Sequence, residues 1–216
     1  MYEEIISKDR LATYKLSEQD SQDIILGRYI WNIKLSQSLY PAISILEVTL
    51  RNKINDTIVK YLKKDWLDEN NSWFNASEVQ KIQETKAKIS KEGKLYTNGQ
   101  LISQLTLGFW CNLFKKAYKP HIWNKPQMIE RIFPNFDIKT NNRIFIIERE
   151  LKQIQKLRNR IFHQEPVFNH PLGISNMHGN IVKVLLWLSV DAAELYKRIE
   201  SFNDVYNSQF LLIKNK

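Results

Sequence analysis

Apolar residues recur at steps of three and four along most of this chain, and residues that interrupt helices are scarce. Only six glycines and six prolines occur in 216 residues. One stretch shows the step plainly, with apolar side chains at Leu39, Ile43, Leu46, Leu50, Ile54, Ile58 and Leu62. Such spacing places apolar groups on one face of a helix. No stretch alternates as a strand does, so the sequence predicts an all-α helical bundle without significant sheet.

The periodic stretches define the expected helices. They cover about 17–34, 39–64, 76–91, 140–163 and 178–200. Pro41 is expected to begin or kink the second of these. The loop at 65–75 is expected to be held to the body by Trp66 and Trp73. Asn98 is the expected cap of a further helix that carries Leu101, Leu105, Leu107, Phe109 and Trp110, with the aromatic pair in the core.

The length and composition predict one domain over residues 1–216. A hydrophobic fraction of 43% and six tryptophans are enough for a sizeable core. The segment 65–140 is expected to include an exposed helical insertion, with the charged helix at 76–91 as its most polar part. Residues 201–216 are expected to form a short helix and a basic tail.

The net charge of +9 and the pI near 9.5 suit a polyanionic partner, although basic charge is also common on solvated faces. A single cysteine, Cys111, is typical of a reducing cytoplasm. We find neither a signal-peptide pattern at the N-terminus nor an apolar run long enough to span a bilayer. The four histidines are scattered, with His170 and His178 expected at the surface, so we expect no metal site. We also expect no cofactor and no membrane partner.

The run from Leu157 to Pro166 contains the most promising chemistry. It places Arg158, Asn159 and His163 within six positions at the end of a helical segment. Arginine can bind a phosphate through two parallel hydrogen bonds, and histidine can accept and donate a proton near neutral pH. These residue types together suit phosphodiester chemistry.

A continuous helix would not aim Arg158 and His163 at one atom, because residues five apart differ by about 140° around the axis. Either the helix unwinds before Pro166, or a second copy of the protein completes the site. The spacing alone is not specific. The alternative is a helix-end histidine that caps carbonyls, with Arg158 in an ordinary ion pair. Arg160 and Glu165 are further candidates for phosphate contact and for orienting His163.

The surrounding residues resemble those of Abi-like proteins of bacterial phage-abortive infection, within the HEPN superfamily. The matching stretches are Trp31-Asn32, Leu35-Ser36, Leu39-Tyr40-Pro41 and Leu46-Glu47-Val48-Thr49-Leu50-Arg51-Asn52; Leu105-Thr106-Leu107-Gly108-Phe109-Trp110 with Leu113-Phe114; and Leu157-Arg158-Asn159-Arg160-Ile161-Phe162-His163-Gln164-Glu165-Pro166. They follow the expected order over residues 25–190, and such ordered matches are stronger evidence than one short motif.

The resemblance implies a HEPN bundle, usually a homodimer with a composite active site, and metal-independent endoribonuclease activity. It assigns Arg158 and His163 as the catalytic pair and Asn159 as the residue that helps orient them. It also makes a supporting role possible for Arg51-Asn52, whose simpler interpretation is a surface pair of Glu47 with Arg51. Relatives often have a second histidine where this chain has Gln164.

We therefore expect an RNA-cleaving toxin of phage defence or of a toxin–antitoxin system, controlled by an antitoxin protein or regulatory RNA. Attack by a 2′-OH would leave a 2′,3′-cyclic phosphate, and DNA would be inert. The alternative is a non-catalytic HEPN module that binds RNA or scaffolds a complex. A DNA-binding regulator is weaker, since no helix-turn-helix spacing is evident.

Overall fold

The computed structural model describes residues 2–62, 65–68, 70, 72–93 and 97–208. Those ranges contain α-helices, one short 3-10 helix and no strand, which confirms the all-α class. The α-helices are α1 (Tyr2–Ile6), α2 (Lys8–Ala12), α3 (Gln22–Tyr61), α4 (Ala76–Lys91), α5 (Asn98–Gln104), α6 (Leu107–Asn112), α7 (Pro126–Ile132), α8 (Arg143–Phe162), α9 (Ile174–Leu188), α10 (Val190–Lys197) and α11 (Phe202–Asn207). The 3-10 helix is Lys116–Tyr118. The expected basic tail at 209–216 lies outside the described residues.

The long helix α3 forms the centre of the bundle. It packs against α7, α9, α10 and α11, and it buries side chains along nearly its whole length. The prediction of two helices, at 17–34 and 39–64, is wrong because α3 runs on through Pro41. Proline removes one backbone donor but leaves the rest of the ladder. Tertiary packing on the surrounding helices offsets that local cost.

The start of α3 also differs from the expectation. Ser21 caps the helix by accepting a hydrogen bond from the Ile24 amide. The preceding residues form a turn around Asp20, whose carboxylate accepts from the amides of Leu16 and Ser17. Arg28 pairs with the same carboxylate, and this hydrogen bond holds the pKa of Asp20 well below its usual range.

The segment around Thr106 contains two helices where the sequence predicted one. α5 ends at Gln104, Leu105 and Thr106 are both extended, and α6 begins at Leu107. Thr97, not Asn98, caps α5 through a capping box with Gln100. The break turns Phe109 and Trp110 into the core, where both are buried as expected.

The aromatic core joins the loop before α4 to the body of the bundle. Trp66 is buried, packs on Trp110 and donates its indole N–H to Asn55, and Trp73 packs against the same cluster. This confirms that both tryptophans hold the loop, part of which (63, 64, 69 and 71) lies outside the described residues. α4 follows with its predicted bounds.

The polar helix α4 is packed along one face. Ile82 and Ile89 are fully buried in the main core. Glu78 is buried too, but Tyr118, Asn112 and Ser77 donate hydrogen bonds to its carboxylate. Burial raises the pKa of Glu78 and these hydrogen bonds outweigh it, so the pKa is lowered overall. The remaining face of α4 is exposed to solvent.

The last long helix is divided at Ser189. The predicted helix at 178–200 is instead α9 and α10, because Ser189 is extended and its hydroxyl caps α10 through the Ala192 amide. His178, expected at the surface, is buried within α9. Its ring stacks on Phe202 and its Nε2 lies 2.8 Å from the Tyr196 hydroxyl. The histidine therefore joins α9, α10 and α11.

The burial of His178 predicts acid-sensitive folding. Burial lowers its pKa, and Glu200, 3.9 Å away, opposes this only in part. The pKa of a histidine in the unfolded chain is near 6.5, and below that pH the unfolded chain binds more protons than the folded one. The stability that depends on a neutral His178 is therefore present above pH 6.5 and is lost as the pH falls through the folded pKa. We expect the Tm to drop between pH 7 and pH 5, because this group lowers the free energy of unfolding by up to about 1.4 kcal/mol per pH unit.

Calorimetry of the wild type and of His178→Gln across that range measures the effect. The variant should be less stable at pH 7 and should show a shallower pH dependence. Equal slopes for both proteins would show that other groups control the acid response.

Candidate functional site

The helix α8 carries the Arg158-Asn159-x3-His163 run at its C-terminal end. Ile147, Leu151, Ile154 and Leu157 are buried on its inner face and fix its rotation against the core. The side chain of Arg158 lies at the edge of this face and is partly buried, while those of Asn159 and His163 are exposed. The buried stripe thus decides which of the motif residues face solvent.

The helix ends at Phe162, as predicted from Pro166, and a defined turn follows. The His163 amide donates to the Asn159 carbonyl, the Gln164 amide to Ile161 and the Glu165 amide to Arg160. Gln164 adopts a φ of 57°, the left-handed conformation that usually falls to glycine in this cap. Gln164 therefore reverses the chain at the helix end.

The guanidinium of Arg158 lies against an aromatic ring. Its central carbon is 3.9 Å from the centroid of the Phe162 ring, a cation–π geometry. Its buried Nε has no hydrogen-bond partner. Phe162 in turn lies 6.1 Å from Tyr40, and the two aromatic side chains are 49% and 52% exposed. Within the described part of the chain, the arginine is held in place by stacking on Phe162 and not by a carboxylate.

Arg158 and His163 do not touch within one chain. No hydrogen bond joins their side chains, nor does either bond to the Asn159 side chain, in the part of the chain that the structure describes. His163 is exposed at the helix cap. One chain therefore presents the arginine and the histidine at the same end of α8 without a hydrogen bond between them.

Arg160 and Glu165 bind each other. Arg160 Nε lies 3.6 Å from the Glu165 carboxylate, and its Nη2 donates to the Pro166 carbonyl at 2.5 Å. Both side chains thus stabilise the turn after α8. Among the described residues Glu165 forms no hydrogen bond to His163, so the expected orienting contact is replaced by this ion pair.

Asn32, which was not among the predicted site residues, fixes the chain just after His163. Its Oδ1 accepts from the amide of Val167 at 2.6 Å and from that of Phe168 at 3.4 Å. Its Nδ2 donates to the Glu165 carbonyl at 3.3 Å and to the Tyr14 hydroxyl at 3.1 Å. The buried amide satisfies backbone groups of the turn. The sequence signals Asn32 in two ways, as a polar residue within an apolar stretch and as part of the Trp31-Asn32 match noted above.

The N-terminal helices add a second restraint. Arg10 donates to the Gln164 carbonyl at 2.8 Å. Tyr14 is fully buried, stacks on Phe168 and bonds to Asn32. Burial raises the pKa of Tyr14 to about 12, against the lowering effect of Arg10, so the phenol stays protonated. The turn that carries His163 is therefore attached to α2 and α3.

Removing the Asn32 amide should loosen this turn. We expect Asn32→Ala to lower the free energy of unfolding by about 2–4 kcal/mol, because buried backbone groups at Val167 and Glu165 lose their partners at about 1–3 kcal/mol each. Urea denaturation measures the change. Asn52→Ala, an exposed asparagine on the same helix, is the matched control and should cost under about 0.5 kcal/mol. Equal losses would contradict the assigned role.

The comparisons with known proteins fit this arrangement. The family model for Abi-like proteins matches residues 1–169, which include the N-terminal helices, α3 and the whole motif on α8. The chain belongs to the Abi-like family. No match was found among curated proteins or among solved structures. Membership points to a role in phage abortive infection.

Within this Abi-like fold, Arg51 and Asn52 lie apart from the motif. Tyr40 is the α3 residue that contacts Phe162, and Arg51 follows it by about 16 Å along the helix axis. Arg51 donates to the Ser103 carbonyl at 3.0 Å and makes no ion pair with Glu47 among the described residues. Arg51 thus links α3 to α5.

Two further features of the Abi-like chain concern metal and membrane. In the described ranges, no three histidine, cysteine, aspartate or glutamate side chains converge as a metal-binding group would. Within the same ranges, no helix has both the length and the apolar character needed to span a bilayer. Cys111 is buried, and burial raises the pKa of its thiol.

Proposed function

We propose that this Abi-like protein is a metal-independent endoribonuclease of the HEPN type that acts in phage defence. The carrying observation is the C-terminal end of α8, which presents an exposed imidazole at His163 five residues after the guanidinium of Arg158, stacked on Phe162. The turn between them and the core is held by hydrogen bonds from Asn32 and Arg10. A proton-transfer group and a phosphate-binding group thus occupy one fixed surface.

The proposed reaction is an internal transesterification. His163 accepts the proton of an RNA 2′-OH, and the 2′-oxygen attacks the adjacent phosphorus. The bond from phosphorus to the 5′-oxygen breaks, and the leaving oxygen takes a proton from His163 of the partner subunit. Arg158 stabilises the charge on the non-bridging oxygens, and Asn159 orients the pair. The products are a 2′,3′-cyclic phosphate and a 5′-hydroxyl.

The surface beside the motif supports a second subunit. The aromatic rings of Tyr40 and Phe162 are both about half exposed and flank Arg158. Adjoining exposed aromatic side chains are enriched in protein interfaces. A homodimer packed on this surface would bring the two copies of His163 towards one cleft, as the proposed reaction needs.

Tyr40→Asp should therefore separate the subunits. A buried carboxylate opposite an apolar surface costs several kcal/mol, so we expect a dimer of the wild type and a monomer of the variant by light scattering. RNA cleavage should fall with it. Phe145→Asp, an exposed aromatic residue at the opposite end of α8, should leave mass and activity unchanged. An active monomer would contradict the composite site.

Cleavage of end-labelled RNA with EDTA present tests the reaction itself. We expect discrete cuts with cyclic-phosphate ends. A single 2′-deoxy substitution at a cut site should abolish that cut alone, because the nucleophile is missing. Cutting at the deoxy site would exclude the 2′-OH mechanism. Binding of RNA without any cleavage would favour the alternative, a HEPN module that binds RNA without catalysis.

A further inference from the structure

A polar cleft separates α8 from α9, away from the tip that carries His163. It has a volume of about 590 Å³ and is lined by Arg149, Gln153, Asn176, Gly179, Asn180 and Lys183 among others. Volumes of this size hold small organic ligands. None of these residues was assigned a role by the motif on α8.

Asn180 has an unsatisfied amide in this cleft. The residue is only 8% exposed, and among the residues that the structure describes neither its Oδ1 nor its Nδ2 has a hydrogen-bond partner. A buried amide left in this state costs roughly 1–3 kcal/mol for each unpaired atom. An asparagine amide offers one acceptor beside one donor, the pattern that pairs with the edge of a nucleobase. The unpaired group therefore indicates a ligand that has both complementary atoms.

The backbone beside Asn180 is open. A side chain at Gly179 would meet no heavy atom within 4 Å. Glycine inside a helix costs about 1 kcal/mol relative to alanine, and here no neighbouring group requires it for close packing. The bare helix surface lets a flat ring lie close to α9 next to the asparagine amide.

The rim of the cleft is positively charged. Glu150 is buried and binds both Arg149, at 2.6 Å, and Lys183, at 3.3 Å. The two cations are 54% and 43% exposed, so each keeps hydrogen-bonding capacity towards solvent. Two cations held by one carboxylate leave a net positive rim, which suits a phosphate.

We propose that this cleft binds one nucleotide unit, with the base edge on Asn180, the ring over Gly179 and the phosphate at Arg149 and Lys183. Within α8, Arg149, Gln153, Lys156 and Arg160 follow each other at steps of four, three and four, and so share one face that leads to His163. The distance from Arg149 to His163 is about 21 Å, roughly six stacked nucleotides at about 3.4 Å each. An RNA strand bound in the cleft would reach the proposed cutting site. The assignment of the bound nucleotide to an RNA strand rests on the proposed function.

The test uses the full chain carrying His163→Ala, which cannot cleave by the proposed route, so binding is measured separately from cleavage. Calorimetric titration with a ten-nucleotide RNA and with AMP and UMP is compared across three further substitutions. Gly179→Leu fills the open helix surface, and Asn180→Leu removes the amide. Gly99→Leu is the matched control, because a side chain there lies on α5 and makes only an ordinary contact, with Thr97 Oγ1 at 3.9 Å.

We expect Gly179→Leu and Asn180→Leu each to weaken RNA binding at least tenfold, while the control leaves it unchanged. The Tm should stay the same or rise in both cleft variants, since one loses a helical glycine and the other loses an unpaired buried amide. Binding of the ten-nucleotide RNA alone would assign the cleft to the strand. If the two cleft substitutions weakened the binding of AMP or UMP as much as that of the RNA, the cleft would be assigned to a free nucleotide.

Unchanged affinity for RNA and for both mononucleotides in the two cleft variants would overturn the nucleotide site. Cleft-dependent binding with no cleavage by the unsubstituted protein would leave this site standing and would overturn only the proposed nuclease. The two proposals therefore fail separately.

Discussion

His163→Ala should lower the rate of RNA cleavage by about 10²–10⁴-fold, because the variant lacks the group that moves the proton in each half of the proposed reaction. The loss should appear at saturating RNA, in kcat, since an exposed imidazole at the cap of α8 contributes little to the RNA-binding surface. Single-turnover cleavage of end-labelled RNA measures it. The Tm should remain that of the wild type, as no packing contact of the described residues depends on this side chain.

Two variants separate proton transfer from general effects. His121→Ala removes another exposed histidine, one that stacks on Trp73 far along the chain from the motif, and should retain full activity. His163→Gln keeps a polar side chain of similar size and should be as inactive as the alanine variant. Substantial activity in the glutamine variant would show that His163 only positions RNA. The wild type should also show a bell-shaped pH dependence, because one imidazole must be neutral and the other protonated.

Local signals predicted much of the architecture. The bounds of α4, the all-α class and the end of α8 before Pro166 follow from periodicity and from the restriction that proline places on its predecessor, whereas α8 begins at Arg143, three residues after the predicted start. The burial of Phe109 and Trp110 was also predicted. These features depend on neighbours within one or two helical turns, which a sequence displays directly.

The helix boundaries that failed depend on distant contacts. Pro41 lies within α3 because the helices around it bury nearly every turn, and a proline pattern alone does not reveal such packing. Ser189 divides α9 from α10 although both sides are apolar, and His178 is buried by Phe202 from another helix. Local propensity favours a continuous helix through Ser189 and a surface position for His178.

The candidate site shows the same division. The residue types of Arg158, Asn159 and His163 are visible as a short run, but their support comes from elsewhere. Asn32 reaches the turn from a position 133 residues before Glu165, and Tyr40 meets Phe162 from α3. Only the folded chain shows that the arginine is stacked on an aromatic ring and that Arg160 is occupied by Glu165.

The stacked position of Arg158 leads to the second large effect. Arg158→Ala should lower cleavage by about 10²–10³-fold, the usual loss when one group that stabilises a charged transition state is removed. Arg158→Lys should recover little of this, because an ammonium lacks the planar fork that can lie on Phe162 and bind two phosphate oxygens together. Both variants should keep the wild-type fold by circular dichroism.

Arg143→Ala provides the matched control on the same helix. Arg143 is exposed at the opposite end of α8 and pairs with Glu130 at 3.2 Å, a surface ion pair worth under about 1 kcal/mol. Its removal should change neither kcat nor KM. If Arg158→Lys were fully active, a positive charge alone would be sufficient for cleavage, and the proposed bidentate contact of the stacked guanidinium with phosphate would be wrong. If Arg158→Ala were active too, the guanidinium would serve only to cover Phe162, and His163 would have to work with a cation from another part of the surface.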